Sequence, residues 1–221
     1  TLVRSDVGND DLILGVGGYA SGPTVAAGWL SGRTVALQEQ NLLPGIANRV
    51  LSVLADRVYV SFPETAARFS PKKVRVFGNP VRRDVLDAAG EAPGGPEDRM
   101  TVLVLGGSQG ARSINTAMIE AVSHLRHKDR IFLIHQTGEA DAQRVGDAVA
   151  AAGVRADVRP FFHDVGIALS RADLVICRAG ATTVAELTAI GKAIVFIPFP
   201  YAADDHQTKN ASSLARQIGR A

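Results

Sequence analysis

Three stretches of this sequence combine residue types that can grip a phosphate or a sugar. Residues 15–23 read GVGGYASGP, directly after the apolar run LIL. Residues 106–112 read GGSQGAR and follow VLVL. Residues 177–187 read CRAGATTVAEL. Glycine lacks Cβ, so a glycine-rich turn lets a ligand approach the main chain. A helix opening after such a turn presents unpaired N–H groups and the positive end of its dipole, which stabilise a phosphate without a cationic side chain. Ser108 adds a hydroxyl donor beside Gly107, Gln109 and Gly110. One such turn is a weak signal, because glycines also serve simple strand-to-helix turns. Two, each after an apolar run, point to a nucleotide diphosphate held between two domains. Neither is a P-loop, since GGSQGAR lacks the Lys–Ser/Thr ending, and neither reads G-x-G-x-x-G, which disfavours a nicotinamide enzyme.

The third cluster has two readings. Thr183 and Glu186 stand at capping-box spacing, which would make both mere helix caps. Alternatively Glu186 faces a cleft and accepts two hydrogen bonds from a ribose diol, a task suited to an ionised carboxylate. Asp204 and Gln207 repeat the spacing in DDHQ, either as a helix start or with Gln207 reaching a sugar hydroxyl. The five histidines are scattered and Cys177 is the single cysteine, so no metal-ligand set is expected. Cys177 closes the apolar run ADLVIC and reads as a buried structural thiol in a reducing compartment.

These clusters need a scaffold. Short apolar runs at 12–14, 34–37, 58–60, 74–77, 101–105, 131–135, 154–158, 174–177 and 193–197 read as strands buried on both faces. Helical spacing lies between them, in Ala111, Ile114, Met118, Ala121 and Leu125, and in Val184, Leu187 and Ile190. The alternation predicts α/β architecture with parallel sheets covered by helices. Residues 87–100, DAAGEAPGGPEDRM, interrupt it as a loop, and the Asn-Pro of FGNPVRR precedes them, which predicts a boundary near Pro80. The expected domains are therefore 1–80 and 81–221.

Composition narrows the partners. With 46% hydrophobic and 21% charged residues the chain is a globular protein, and a net charge of +2 gives no bulk argument for nucleic acid. Six basic residues between positions 65 and 83 (Arg68, Lys72, Lys73, Arg75, Arg82 and Arg83) are either a solvated face or an anion or membrane-surface contact. No apolar run approaches the ~18 residues of a membrane span. The sequence opens without Met and ends inside an amphipathic pattern, as a fragment truncated at both ends would.

GVGGYASGP, QEQN, GNPVR, GGSQGAR, HQTG, CRAGATTVAEL and DHQTKNA, in this order, resemble the MurG family of bacterial cell-wall glycosyltransferases. The resemblance implies the GT-B fold: two Rossmann-like domains with parallel sheets facing across a cleft, both incomplete in this chain. It implies an inverting transfer of N-acetylglucosamine from UDP-N-acetylglucosamine to the muramic 4-hydroxyl of lipid I, giving lipid II for peptidoglycan. No cofactor or metal is implied. The expected location is the cytoplasmic side of the bacterial cell membrane, as a peripheral protein.

The resemblance also assigns residues. Arg82 would meet the uracil, Phe162 would hold the base through its backbone, and Ser108 would bind the α-phosphate. Ala181, Thr182, Thr183, Val184, Ala185 and Glu186 would wrap the diphosphate and sugar, with Glu186 on the ribose. Gln207 and Asn41 would meet the donor sugar. Gly17, Gly18 and Tyr19 would line the acceptor's diphosphate, as Gly107, Gln109 and Gly110 line the donor's. Gln38 stands where the family usually has His. The family's general-base loop would precede Thr1, so no catalytic residue is assigned within the chain, and the chain alone is expected to be inactive. Trp29, the only tryptophan, is either a core residue or part of a membrane-facing patch. Other readings are a different GT-B UDP-sugar transferase, a UDP-sugar epimerase, or a nucleotide-binding module without catalysis.

Overall fold

The computed structural model describes residues 12–89, 98–107, 110–201 and 205–218. The chain divides into two compact units: Thr1–Pro80 with Tyr201–Ala221, and Val81–Pro200. The first contains β1 (Leu12–Gly15), α1 (Ser21–Leu30), β2 (Thr34–Glu39), α2 (Ile46–Leu51), β3 (Arg57–Val60), a 3-10 turn (Pro63–Arg68) and β4 (Val74–Val76). Its strands form one parallel sheet in the order β1-β2-β3-β4. The second contains α3 (Arg83–Ala89), β5 (Met100–Leu105), α4 (Arg112–His124), β6 (Ile131–Gln136), α5 (Ala142–Ala151), β7 (Arg155–Arg159), α6 (Val165–Arg171), β8 (Leu174–Cys177), α7 (Ala181–Ala189) and β9 (Ala193–Phe196). Its parallel sheet runs β7-β6-β5-β8-β9. Both units are Rossmann-like.

A final helix, α8 (His206–Ile218), packs with the first unit, while the sequence alone groups it with 81–221. The reason is polar. Asn210 accepts from the Leu42 N–H (3.0 Å) and donates to Asn41 Oδ1 (3.2 Å), while the Ser213 hydroxyl donates to Glu64 (3.4 Å).

The continuous apolar runs are explained by helices on both faces of the second sheet. Leu103 and Val175 face one side, with Leu169 and Leu187; Val102 and Val104 face the other, with Ile114, Met118, Val122 and Val145. The first unit buries Val25, Val35, Leu37, Val58 and Val60 together. In both units an aspartate before a strand caps the start of its neighbour: Asp56 Oδ2 accepts from Val35 N–H (2.8 Å), and Asp173 Oδ2 from Thr101 N–H (2.7 Å).

The strand order also locates the site. In the second sheet the chain moves from β5 out to β7, then returns to the other side of β5 as β8. The carboxyl ends of β5 and β8 are thus adjacent while their helices diverge, leaving the crevice at which α/β sheets of this kind take ligands.

Candidate functional site

A cavity of about 310 Å³ opens there, lined by Arg82, Gly107, Gln136, Phe161, Arg178 and Glu186 among others. Gly107 follows β5, and Arg178 follows β8. The two glycines flanking residues 108 and 109 serve different ends. Gly110 has φ +76°, and a Cβ there would strike the Thr137 carbonyl, so this glycine makes room for the protein's own backbone. Gly107 has φ +82° and nothing near its missing Cβ, so its main chain is open to a ligand. Ser108 and Gln109, expected at the phosphates, lie outside the described residues.

Gln136 fixes this turn. Its amide donates to the Gly107 carbonyl (2.9 Å) and its carbonyl accepts from the Phe162 N–H (3.0 Å). The turn after β5 and the loop after β7 are thereby tied together through one side chain. Phe162 itself is buried in the core, and its N–H is already committed. The backbone handle expected of it is reduced to its carbonyl. The neighbouring Phe161, 45% exposed, lines the cavity instead.

α7 starts at Ala181 after Gly180, with no side-chain cap. Thr183 and Glu186 both lie inside the helix, so the capping-box reading is wrong. The first-turn amides of Ala181, Thr182 and Thr183 have no intrahelical partner by geometry. Val184 is buried, and Ala185 is half-buried. Glu186 is 7% exposed, and its Oε1 accepts from Arg82 Nε at 2.7 Å. That hydrogen bond holds the Arg82 guanidinium charged, above the ordinary arginine value, against the opposing effect of burial. Cys177 sits in the wall, where burial pushes its thiol up to about 12. It is a neutral, unreactive wall.

The structure thus gathers Arg82, Gly107, Thr183 and Glu186 into one cavity, with Phe162 behind it. In the first unit, Asn41 donates its N–H to Glu39 Oε1 (3.0 Å) and accepts from Asn210. Gly17 and Gly18 have φ +86° and +75°, and Tyr19 is fully exposed. Gln38 is a tied amide, donating to Gly78 O (3.2 Å) and Ser61 Oγ (3.4 Å). Gln207 is half-buried in the first turn of α8, and Asp204 lies outside the described residues. Gln136 and Arg178 were not singled out from the sequence. Each is a polar residue at the carboxyl end of an apolar strand, and that position was the available signal.

Residues 101–220 match the Glycosyltransferase family 28 C-terminal domain, and residues 7–60 match the Glycosyltransferase family 28 N-terminal domain. The chain belongs to glycosyltransferase family 28. Relatives in the family include UDP-N-acetylglucosamine–N-acetylmuramyl-(pentapeptide) pyrophosphoryl-undecaprenol N-acetylglucosamine transferases. That of Geobacter sp. (strain M21) is 48% identical over 94% of this chain and 56% of its own length. That of Myxococcus xanthus (strain DK1622) is 50% identical over 92% of this chain and 53% of its own. The chain therefore spans little more than half the length of these relatives. The crystal structure of Acinetobacter baumannii MurG superposes with a TM-score of 0.75 at 36% identity, over 93% of this chain and 57% of that one. A UDP-GlcNAc 2-epimerase from Neisseria meningitidis bound to UDP-GlcNAc shares the fold, with a TM-score of 0.64 at 13% identity, over 96% of this chain and 68% of that one.

Proposed function

We propose that this chain is part of an inverting glycosyltransferase that moves N-acetylglucosamine from UDP-N-acetylglucosamine to the muramic 4-hydroxyl of undecaprenyl-pyrophosphoryl-MurNAc-pentapeptide. One observation carries the reading. A buried carboxylate, Glu186, shares a cavity with an exchangeable arginine, a side-chain-free glycine and uncapped helix amides. That set suits a ribose, a base and a diphosphate in sequence. The family relatives, whose names specify this transfer, support the substrates.

In this reading 81–200 holds the donor nucleotide and the first unit takes the acceptor. Glu186 accepts the ribose hydroxyls as Arg82 turns from Oε1 to the uracil. The amides of Ala181 to Thr183 and those around Gly107, with Ser108, take the diphosphate. Their value rises as UDP leaves, because negative charge then grows on the phosphate oxygens. Asn41 and Gln207 meet the donor sugar, and Gly17 and Gly18 the acceptor's diphosphate. A general base takes the acceptor's hydroxyl proton.

The test has two parts. Calorimetric titration should show this chain binding UDP and UDP-N-acetylglucosamine at least tenfold more tightly than ADP or GDP. Enzyme comprising this chain should release UDP only when the lipid-linked muramyl acceptor is added. Equal affinity for the nucleotides, or UDP release independent of acceptor, would sink the reading.

The same reading places the protein on the inner face of the bacterial membrane. Trp29, Leu30, Ile46, Val50 and Val53 of the first unit are 50–76% exposed, and Lys73 Nζ donates to the carbonyls of Ser52 (3.2 Å) and Val53 (2.9 Å). Among the described residues no helix is long and apolar enough to cross a membrane. Apolar side chains with a basic surround suit an interface. Trp29→Ala should weaken binding to anionic vesicles; unchanged binding would remove Trp29 from the contact.

A further inference from the structure

We propose that Arg178 is the cation that meets the nucleotide's diphosphate, in a site otherwise built from main-chain amides; this rests on the nucleotide-sugar reading above. Arg178 follows β8 directly and lines the same cavity as Gly107, Thr183 and Glu186. Its guanidinium is held from three sides. Nη1 donates to the carbonyls of Ile197 (2.8 Å) and Pro198 (2.9 Å), and Nη2 donates to Ser113 Oγ (2.6 Å). The Phe199 ring lies 5.4 Å from Cζ. All of these partners are neutral. Among the described residues no carboxylate pairs with Arg178, whereas Arg82, the other arginine of the cavity, is matched by Glu186. Burial pulls the Arg178 guanidinium below the ordinary arginine value. A cation partly withdrawn from water and bound only to neutral groups gains more from an incoming anion than a solvated one does.

Position identifies the anion. Ser113 is in the first turn of α4, and Arg178 stands in the turn that enters α7. The guanidinium therefore spans two helix starts, of 13 and 9 residues, neither of which carries a side-chain cap. A single phosphate would use one start; a diphosphate can use both. Among the described residues the charged lining of the cavity is Arg82 and Arg178 against Glu186, an excess of one positive charge. That excess sits on Arg178 once Glu186 is counted with Arg82. The three existing hydrogen bonds fix the fork without using all five donors of the guanidinium, so its remaining N–H groups can take phosphate oxygens.

A clamp that only ties β9 to α4 would use the same three bonds, so the test must separate the two roles. Uridine reports the base and ribose contacts alone; UDP adds the diphosphate. For Arg178→Gln in this chain, UDP affinity measured by calorimetry should fall about 10- to 100-fold, the range expected for a lost charge-assisted hydrogen bond. Uridine affinity should stay within about twofold, as no diphosphate contact is involved. Parallel loss of both, or no change in either, would overturn the assignment. If Arg178→Gln melts below the assay temperature, Arg178→Lys decides, because it keeps a cation without the planar fork. It should bind UDP more weakly than wild type with uridine affinity intact, and retain salt-sensitive UDP binding. Equal weakening toward UDP and uridine, or unaltered UDP affinity with salt sensitivity gone, would overturn it. Wild type that binds neither compound would instead remove the nucleotide reading itself.

Discussion

Among the described residues each unit buries one carboxylate next to a segment expected to bind substrate, and the two are held in opposite ways. Glu39 is 3% exposed and saturated from within: Oε1 accepts from Asn41 N–H (3.0 Å), and Oε2 from Gly45 N–H (3.0 Å) and Asn48 Nδ2 (2.9 Å). Those donors are the loop after β2 and the head of α2, so the carboxylate shapes the loop that carries Asn41. Glu186 is nearly as buried, yet among the described residues its partner is one arginine whose side chain is 51% exposed. A carboxylate met by main chain and a buried amide has about three of its four acceptor sites taken by donors that are fixed in place. One satisfied by a half-solvated side chain can exchange it for hydroxyl donors. Burial alone does not separate architecture from chemistry; the replaceability of the partner does.

The largest expected effect tests the architectural side. Glu39→Ala strands three donors, of which the Asn48 amide is buried, and should cost about 4 kcal/mol in the first unit at 1–3 kcal/mol per unsatisfied group. Trp29 is the only tryptophan and lies in that unit, so its fluorescence during urea unfolding reads this loss directly. UDP affinity, carried by the second unit, should change less than twofold. A small stability change, or lost UDP binding in folded protein, would erase the contrast.

Next in size is a third buried group, which belongs with Glu39. His135 on β6 is fully buried, its Nε2 lies 3.0 Å from Asn115 Oδ1, and its Nδ1 has no partner among the described residues. Asn115 Nδ2 binds Thr137 O and Asp141 Oδ2, both at 2.9 Å, so Asn115 Oδ1 faces His135 as an acceptor and Nε2 carries the proton. Burial pushes the imidazole down to about 4, outweighing the attraction of Asp141. The unfolded value is about 6.5, so between these limits the unfolded chain binds more protons. Stability of the second unit is therefore complete above pH 6.5 and falls as pH drops toward 4, by about 3 kcal/mol. Urea midpoints followed by circular dichroism at pH 7, 5.5 and 4.5 read this fall. His135→Gln keeps a donor toward Asn115 without titrating, and its midpoints should vary less over the same range. Identical slopes in both proteins would refute the attribution.

Glu186→Gln tests the chemical side. Arg82 returns to water when its partner loses charge, so stability should move by less than about 1 kcal/mol, as for other half-exposed pairs. Binding should respond more. Wild type should prefer UDP to 2′-deoxy-UDP by about tenfold, the worth of one hydrogen bond to a charged acceptor. In the variant that preference should shrink to about twofold or less, as a neutral acceptor hydrogen-bonds more weakly. A stability loss matching Glu39→Ala with the preference intact would reverse the assignment of the two carboxylates.

Much of this was legible in the sequence. All nine strands lie within a residue or two of the apolar runs; the central β5 is buried along most of its length and apolar for that reason, whereas the edge strands β1, β4, β7 and β9 are largely exposed or half-buried. Helix faces were harder. Ala121 was expected to be buried on α4, but Val122 is, because the buried row runs Ile114, Met118, Val122. The glycine turns and Glu186 were visible as types and spacings. What stayed hidden were partners distant in sequence: Glu186 with Arg82, Gln136 with Gly107 and Phe162, Arg178 with Ser113. A capping-box spacing was indistinguishable from a mid-helix carboxylate until the helix start was fixed at Ala181. Local patterns encode elements, whereas the chemistry here depends on which strand ends the sheet order brings side by side.

The smallest expected effect separates conformational strain from function at two glycines. Gly107 (φ +82°) and Gly153 (φ +71°) are both left-handed, and a Cβ on either would meet nothing within 4 Å. Alanine at either position should therefore cost only the backbone term, about 1–2 kcal/mol. Only Gly107 lines the cavity. If its main chain is where the diphosphate approaches, Gly107→Ala should weaken UDP about threefold or more beyond its stability cost, uridine much less, because only the phosphates pass that close. Gly153→Ala, at the end of α5, should leave both affinities unchanged and serves as the strain-matched control. Matched melting temperatures with matched UDP affinities in the two variants would show that Gly107 is there for its turn alone. The diphosphate would then have to be gripped from the α7 side, by the amides of Ala181 to Thr183 and by Arg178.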